Sequence, residues 1–215
     1  MAEINFDIIG FDLDGTLLDT SGELTASTNH ALKLAGLPPL SREEVIQMIG
    51  LGAKNMLDMG LKKAQPGLSD IENKARLKEY LPALMTHYEE NLGSNSPPFE
   101  GVMELMAKCD AAGITMAVVT NKYEGFAHKL LRNVGLFDRF SCVIGSDSLG
   151  KGADGRYIAK PMREPIDEMI KRSGGEVGQS RTIFIGDSIY DVMAAHNAKI
   201  PACLLYTSPS PRDRG

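Results

Sequence analysis

The chain has 215 residues, 43% hydrophobic and 24% charged, with a formal net charge of -5, enough for one substantial core and a small second module. An acidic balance without a Lys/Arg cluster argues against a nucleic-acid groove, and no apolar run approaches the ~20 residues that a membrane span needs. Small-molecule chemistry in the cytoplasm is the resulting expectation. The N-terminus lacks the basic-then-apolar order of a secretion signal, and Cys109, Cys142 and Cys203 are too widely spaced for a metal or redox pattern.

The apolar run Phe6 to Phe11 reads as a strand buried on both faces, and it ends in Asp12-Leu13-Asp14-Gly15-Thr16. Leu24, Thr28, Ala31, Leu32 and Ala35 then follow helical spacing and stop at Gly36, with Pro38 and Pro39 beyond. Ser41 and Glu44 form a capping box that opens Val45 to Ile49. After Gly50 to Ala53 a helix resumes through Met56, Leu57 and Leu61. Ser69 opens a longer one through Tyr88, in which Pro82 predicts a kink or a split. Asn91 to Pro98 is turn chemistry.

Helices and short apolar strands alternate from there. Helices are expected at Val102 to Ala112, Phe126 to Val134, Pro165 to Lys171 and Ile189 to Ala198, and strands at Ile114 to Val119, Phe140 to Ile144 and Thr182 to Ile185. This is the signature of an α/β fold, a Rossmann-like parallel sheet core with helices on both faces. The expected division is a discontinuous core of residues 1–19 and 94–202 and an all-helical cap, residues 20–93, inserted after the first strand. Cys203 to Asp213 resembles a translated sequencing-library adapter, so residues 203–215 are expected to be a non-native tail. On that reading the C-terminal end is truncated and a final strand and helix are missing.

Ligands of an open parallel sheet sit outside the carboxyl ends of its strands. Strand one ends in Asp12 and Asp14, the next in Thr120-Asn121, and the fourth in Gly186-Asp187 with Asp191 four residues on. A single Asp after a strand is ordinarily a turn residue or helix cap; the joint occurrence predicts a cluster. Each like-charge pair ~4 Å apart would cost roughly 4 kcal/mol at an effective dielectric near 20. Such a cluster therefore calls for a cation, and oxygen donors without His or Cys suit magnesium better than zinc.

Asp12-Leu13-Asp14-Gly15-Thr16 resembles the DxDGT signature of the haloacid dehalogenase superfamily, and Gly186-Asp187-Ser188-x-x-Asp191 is similar to its last acidic motif. Phe99 to Val102, Ala117 to Lys122, Gly145 to Ser148 and Lys160-Pro161 look most like the phosphoglycolate phosphatase branch, whose members carry a helical cap. The resemblance implies a magnesium-dependent phosphomonoester hydrolase for a small phosphorylated metabolite, with 2-phosphoglycolate foremost. Pyrophosphatase, sugar-phosphate phosphatase, phosphomutase, phosphonate hydrolase and non-catalytic binding module remain as alternatives. It implies Asp12 as nucleophile and Asp14 as acid and base. Asp12, Asp187 and the Asp14 carbonyl would hold Mg2+, with Asp191 behind them. Thr120 and Asn121 would bind phosphoryl oxygens and Lys160 would balance charge.

The long loop Gly145 to Ala159 departs from the family pattern and offers Lys151 as a substitute for Lys160; Pro161 and Pro165 favour Lys160. That loop also nearly matches a P-loop, but Gly152 stands where the Ser/Thr belongs. In the cap, Lys54 after the glycines 50 and 52 is the candidate selector of a substrate carboxylate, against the plain reading of a solvated helix-start lysine. The four histidines, His30, His87, His128 and His196, stand at no ligand spacing.

Overall fold

A computed structural model describes residues 5–205. The chain divides into two compact units, one formed by the segments up to Leu18 and from Pro98 onward, the other by Asp19–Pro97. The first begins with strand β1 (Ile8–Phe11), buried along its whole length.

Asp19–Pro97 is helical, with α1 (Ser21–Leu34), α2 (Arg42–Ile46), α3 (Ala53–Ala64) and α4 (Asp70–Asn91). Helix α1 packs on α2, α3 and α4, burying Leu24, Ala31 and Leu32 with Met56, Leu57 and Leu61 of α3 and Leu77, Leu84 and Tyr88 of α4. The Ser41/Glu44 capping box forms and starts α2 at Arg42, so that helix covers an earlier stretch than Val45 to Ile49. A second box, Ser69 with Glu72, starts α4. Pro82 does not split α4, which runs unbroken over 22 residues from Asp70 to Asn91. The proline removes one backbone donor, but α4 is packed against both α1 and α3, and that packing outweighs one lost hydrogen bond. Glu23, buried in α1, accepts the amides of Asn95 (2.7 Å) and Gly93 (3.2 Å), tying the exit of this unit to its entry.

The other unit resumes with α5 (Val102–Ala111), β2 (Thr115–Val119), α6 (Glu124–Asn133), β3 (Val143–Ile144), α7 (Glu164–Arg172), β4 (Thr182–Gly186), α8 (Ile189–Asn197) and β5 (Ala202–Leu204). The strands lie in the order β3-β2-β1-β4-β5, every pair parallel. Ile8, Ala117, Val119 and Phe184 pack with Ile166, Met169 and Ile170 of α7, with Ala194 and Ala195 of α8, and with Ala198 just after it. The residues between them, Ile9, Phe11, Met116 and Val118, are equally buried and point to the other face. There α5 packs on β2 and α6 on β3. Burying one large side chain such as Phe184 contributes roughly 2–3 kcal/mol.

β3 has only two residues, because Phe140 closes a short 3-10 turn (Phe137–Arg139) rather than pairing. At the other edge, Cys203 pairs with Ile185 and Leu204 with Gly186. The sheet thus runs into the first residues of the expected tail; positions 206–215 lie outside the described residues. No described helix is long and apolar enough to cross a membrane.

The register of the central strands gathers the acids. Phe11 is level with Val118 of β2 and with Ile185 of β4, so Asp12, Thr120 and Asp187 leave the sheet at one edge.

Candidate active site

The loop after β1 folds tightly: the Leu13 carbonyl accepts the amides of Leu17 and Leu18, and the Gly15 amide donates to the Leu18 carbonyl. Gly15 has φ +84°, and a Cβ there would lie 2.3 Å from Asp187 Oδ2. A Cβ on Gly186 would lie 2.3 Å from Asp191 Cγ. Both glycines are needed where a carboxylate is pressed against backbone.

Ligand oxygens of Asp12, Asp187 and Asp191 lie within 4.8 Å of one another. Asp12 and Asp191 are buried and Asp187 half-buried. Lys160 Nζ reaches between two of them, 2.8 Å from Asp12 Oδ1 and 2.6 Å from Asp191 Oδ1, with its own side chain 2% exposed. The contact with Asp12 Oδ1 is an ion pair outside hydrogen-bond geometry, whereas that with Asp191 is a directed hydrogen bond.

Burial pushes the Asp12 carboxyl up to about 8, against the pull of Lys160 and helped by Asp191 and Asp187. Burial and the neighbouring Asp191 push Asp187 up to about 6, with the Thr16 hydroxyl and Lys160 opposing. Burial works against the Lys160 ammonium as well, yet Asp12 and Asp191 hold its proton more tightly than usual. One ammonium does not balance three carboxylates at this density, and the surplus negative charge is what a cation would offset.

Asp191 has two jobs. Its Oδ2 accepts the Ser188 amide (2.9 Å) and hydroxyl (2.6 Å), closing the capping box of α8, while Oδ1 takes Lys160. One oxygen of this side chain thus caps the helix while the other faces Lys160.

Thr120 is buried at the end of β2. Its amide donates to the Ile144 carbonyl (2.9 Å), and its Oγ1 accepts the Lys122 amide (3.1 Å). With an oxygen lone pair engaged in this way, the hydroxyl hydrogen is available to an incoming acceptor. Asn121 follows, half-buried. Asp14, 7% exposed, lies against Lys122 Nζ at 2.8 Å. Sequence reasoning assigns no role to two members of the cluster. One is Lys122, which stands there only as the last residue of a motif; the other is Thr16, whose Oγ1 donates to Asp187 Oδ1 at 3.3 Å.

Lys151 is exposed and bridges to Tyr157 within its own loop, its Nζ 5.1 Å over the Tyr157 ring. Lys54 is exposed in the first turn of α3, in the helical unit. Lys151 does not join the acids. His30 and His87 stack, ring centroids 4.6 Å apart, in the helical unit.

The profile of the haloacid dehalogenase-like hydrolases matches residues 9–205. A phosphoglycolate phosphatase of Agrobacterium fabrum is 34% identical over 192 residues, 89% of this chain and 77% of that protein. One of Caulobacter vibrioides is 35% identical over 205 residues, 94% of this chain and 80% of that protein. The crystal structure of a predicted phosphoglycolate phosphatase from Haemophilus somnus aligns with a TM-score of 0.79 at 30% identity, covering 99% of this chain and 93% of that one. A match that runs from β1 into β5 and takes in each of these acids makes the chain a member of the haloacid dehalogenase-like hydrolase family, on its phosphoglycolate phosphatase-like branch.

Proposed function

We propose that the protein hydrolyses a small phosphomonoester, 2-phosphoglycolate, to glycolate and phosphate through a phosphoryl group carried on Asp12. The observation behind this reading is Asp12 itself, a buried carboxylate in a group of three that shares one ammonium with Asp191. The phosphoglycolate phosphatases among its relatives supply the substrate.

In the first step a carboxylate oxygen of Asp12 forms a bond to phosphorus as the ester P–O bond breaks, and the electron pair leaves with the alkoxide oxygen. Asp14 gives that oxygen its proton. In the second step water attacks the same phosphorus, Asp14 takes the proton of the water, and the Asp12–phosphorus bond breaks. Thr120 and the Asn121 amide hold the non-bridging phosphoryl oxygens. Lys160 offsets negative charge beside Asp12 in both steps.

The donor set fits magnesium, since every candidate ligand is a carboxylate or carbonyl oxygen and the carboxyls of Asp12 and Asp187 are held abnormally basic without a cation. Asp12, Asp187 and the Asp14 carbonyl would hold the ion, with Asp191 behind them. When bound, Mg2+ supplies charge neutralisation and polarises a phosphoryl oxygen.

The same charge imbalance makes stability depend on pH. Carboxyls whose folded values, about 8 and about 6, lie above the unfolded value of 3.8 retain protons that the unfolded chain has released. The metal-free protein therefore loses stability as pH rises from about 4 to about 8. Magnesium favours the ionised forms, so the stabilisation it gives is expected to be larger at about pH 8 than at about pH 5.5. Thermal unfolding in magnesium and in chelator at both pH values checks this; equal stabilisation at the two would contradict it.

The proposed activity is tested by a phosphate-release panel with magnesium containing 2-phosphoglycolate, glycerol phosphate, glucose 6-phosphate and pyrophosphate. Turnover of 2-phosphoglycolate is expected to exceed the others by about tenfold or more. Preference for pyrophosphate, or no release from any ester, would overturn the assignment.

A further inference from the structure

The two acids of the β1 loop have different cationic partners. Lys160 serves Asp12 and Asp191, while Lys122 Nζ lies 2.8 Å from Asp14 Oδ2, the two side chains 5% and 11% exposed. A lysine in a loop is ordinarily solvated; burying this one costs desolvation and rotamer entropy. Its backbone is tied at both ends, the amide to Thr120 Oγ1 (3.1 Å) and the carbonyl to the Ser146 amide (2.9 Å). The side chain is thereby launched from the end of β2 toward the loop after β1, so its reach to Asp14 is set by the register of the two central strands.

We infer that Lys122 is a positioning residue for the reaction, fixing the plane of the Asp14 carboxylate so that Asp14 is aimed at the leaving-group oxygen. The inference rests on the acid role of Asp14 in the proposed function. Proton transfer in the transition state needs heavy atoms about 2.6–3.2 Å apart, and a carboxylate free to rotate about its side-chain torsions would meet that condition only part of the time. Lys122 does not touch the transferred group. It acts through Asp14, by holding Oδ2.

The consequence is a dependence on the leaving group. When an alkyl phosphate is cleaved, the P–O bond breaks, the electron pair goes to an alkoxide and Asp14 must protonate it. With p-nitrophenyl phosphate the departing phenolate is stable without that proton. In single-turnover kinetics, which read leaving-group release in the first step alone, Lys122→Met is therefore expected to slow release from 2-phosphoglycolate by about 10²-fold and from p-nitrophenyl phosphate by less than about threefold. A role limited to packing the loop would slow both alike, and equal slowing overturns the inference. Should Lys122→Met fail to fold, Lys122→Gln, of similar length and still polar, carries the same comparison.

A crystal structure of the variant provides a readout independent of turnover. The Asp14 carboxylate is expected to rotate away from its wild-type position while Asp12, Thr120 and Lys160 stay in place; an unmoved Asp14 contradicts the inference. A wild-type protein inactive on both esters would contradict the proposed function instead, and the position of Asp14 in the variant would still decide this one.

Discussion

Asp12→Asn is expected to abolish phosphatase turnover and, at the same time, to stabilise the metal-free protein. The activity falls by about 10⁴-fold or more because the amide cannot form the bond to phosphorus. Stability moves the other way because the substitution removes one of three clustered carboxylates, one whose ionisation burial opposes. Lys160 does not lose its counterion, since Asp191 Oδ1 remains 2.6 Å away. A gain on the order of 1 kcal/mol at about pH 8 would raise the unfolding temperature by about 3 °C. Kinetics with magnesium and thermal unfolding in chelator check the two halves. A structural Asp12 would give a destabilised protein with proportionate activity loss, the opposite sign in the second measurement.

Lys160→Ala is expected to lose both properties. The ammonium is 2% exposed and lies between Asp12 and Asp191, so its removal leaves buried carboxylates facing each other without a counterion. Breaking a buried pair from one side costs about 3–5 kcal/mol. Because magnesium offsets the same charges, the destabilisation should be larger in chelator than in magnesium. Turnover in magnesium should still fall by about 10³-fold, since the positive charge beside the transferring phosphoryl group is missing. Denaturant unfolding with and without the metal, together with kcat, provides the check. A loss below about 1 kcal/mol in chelator would mean that Lys160 does not balance the cluster. Lys151 is no substitute, being exposed on its own loop.

Much of this centre is legible from the chain because short-range rules converge on it. Apolar runs ending in Asp12-Leu13-Asp14, Thr120-Asn121 and Gly186-Asp187 mark strand ends, and parallel topology sends strand ends to one edge. The Ser41/Glu44 box and the glycines after helices mark where helices begin and stop. What escapes depends on contacts distant in sequence. Thr16 meets Asp187 across 171 positions, and nothing around Thr16 announces the distant partner. Lys122 is only the last residue of the Ala117 to Lys122 motif until the pairing of β1 with β2 brings it to Asp14.

Pro82 and β5 show the same effect in the fold. A proline inside a helix predicts a kink or a split from local rules, but α4, packed against α1 and α3, is not split. The tail expected from Cys203 begins within the sheet, where the exposed edge of β4 takes up Cys203 and Leu204. In both places tertiary pairing supplies what local propensity lacks.

Whether Asp12 carries the phosphoryl group is tested most directly by acid-quenching the magnesium enzyme during turnover of 2-phosphoglycolate labelled in the phosphoryl group, then mapping the peptides. Label is expected on the peptide containing Asp12, discharged by hydroxylamine as an acyl phosphate is, with no label in Asp12→Asn. Turnover without a labelled carboxylate, or label that persists in Asp12→Asn, would contradict that role.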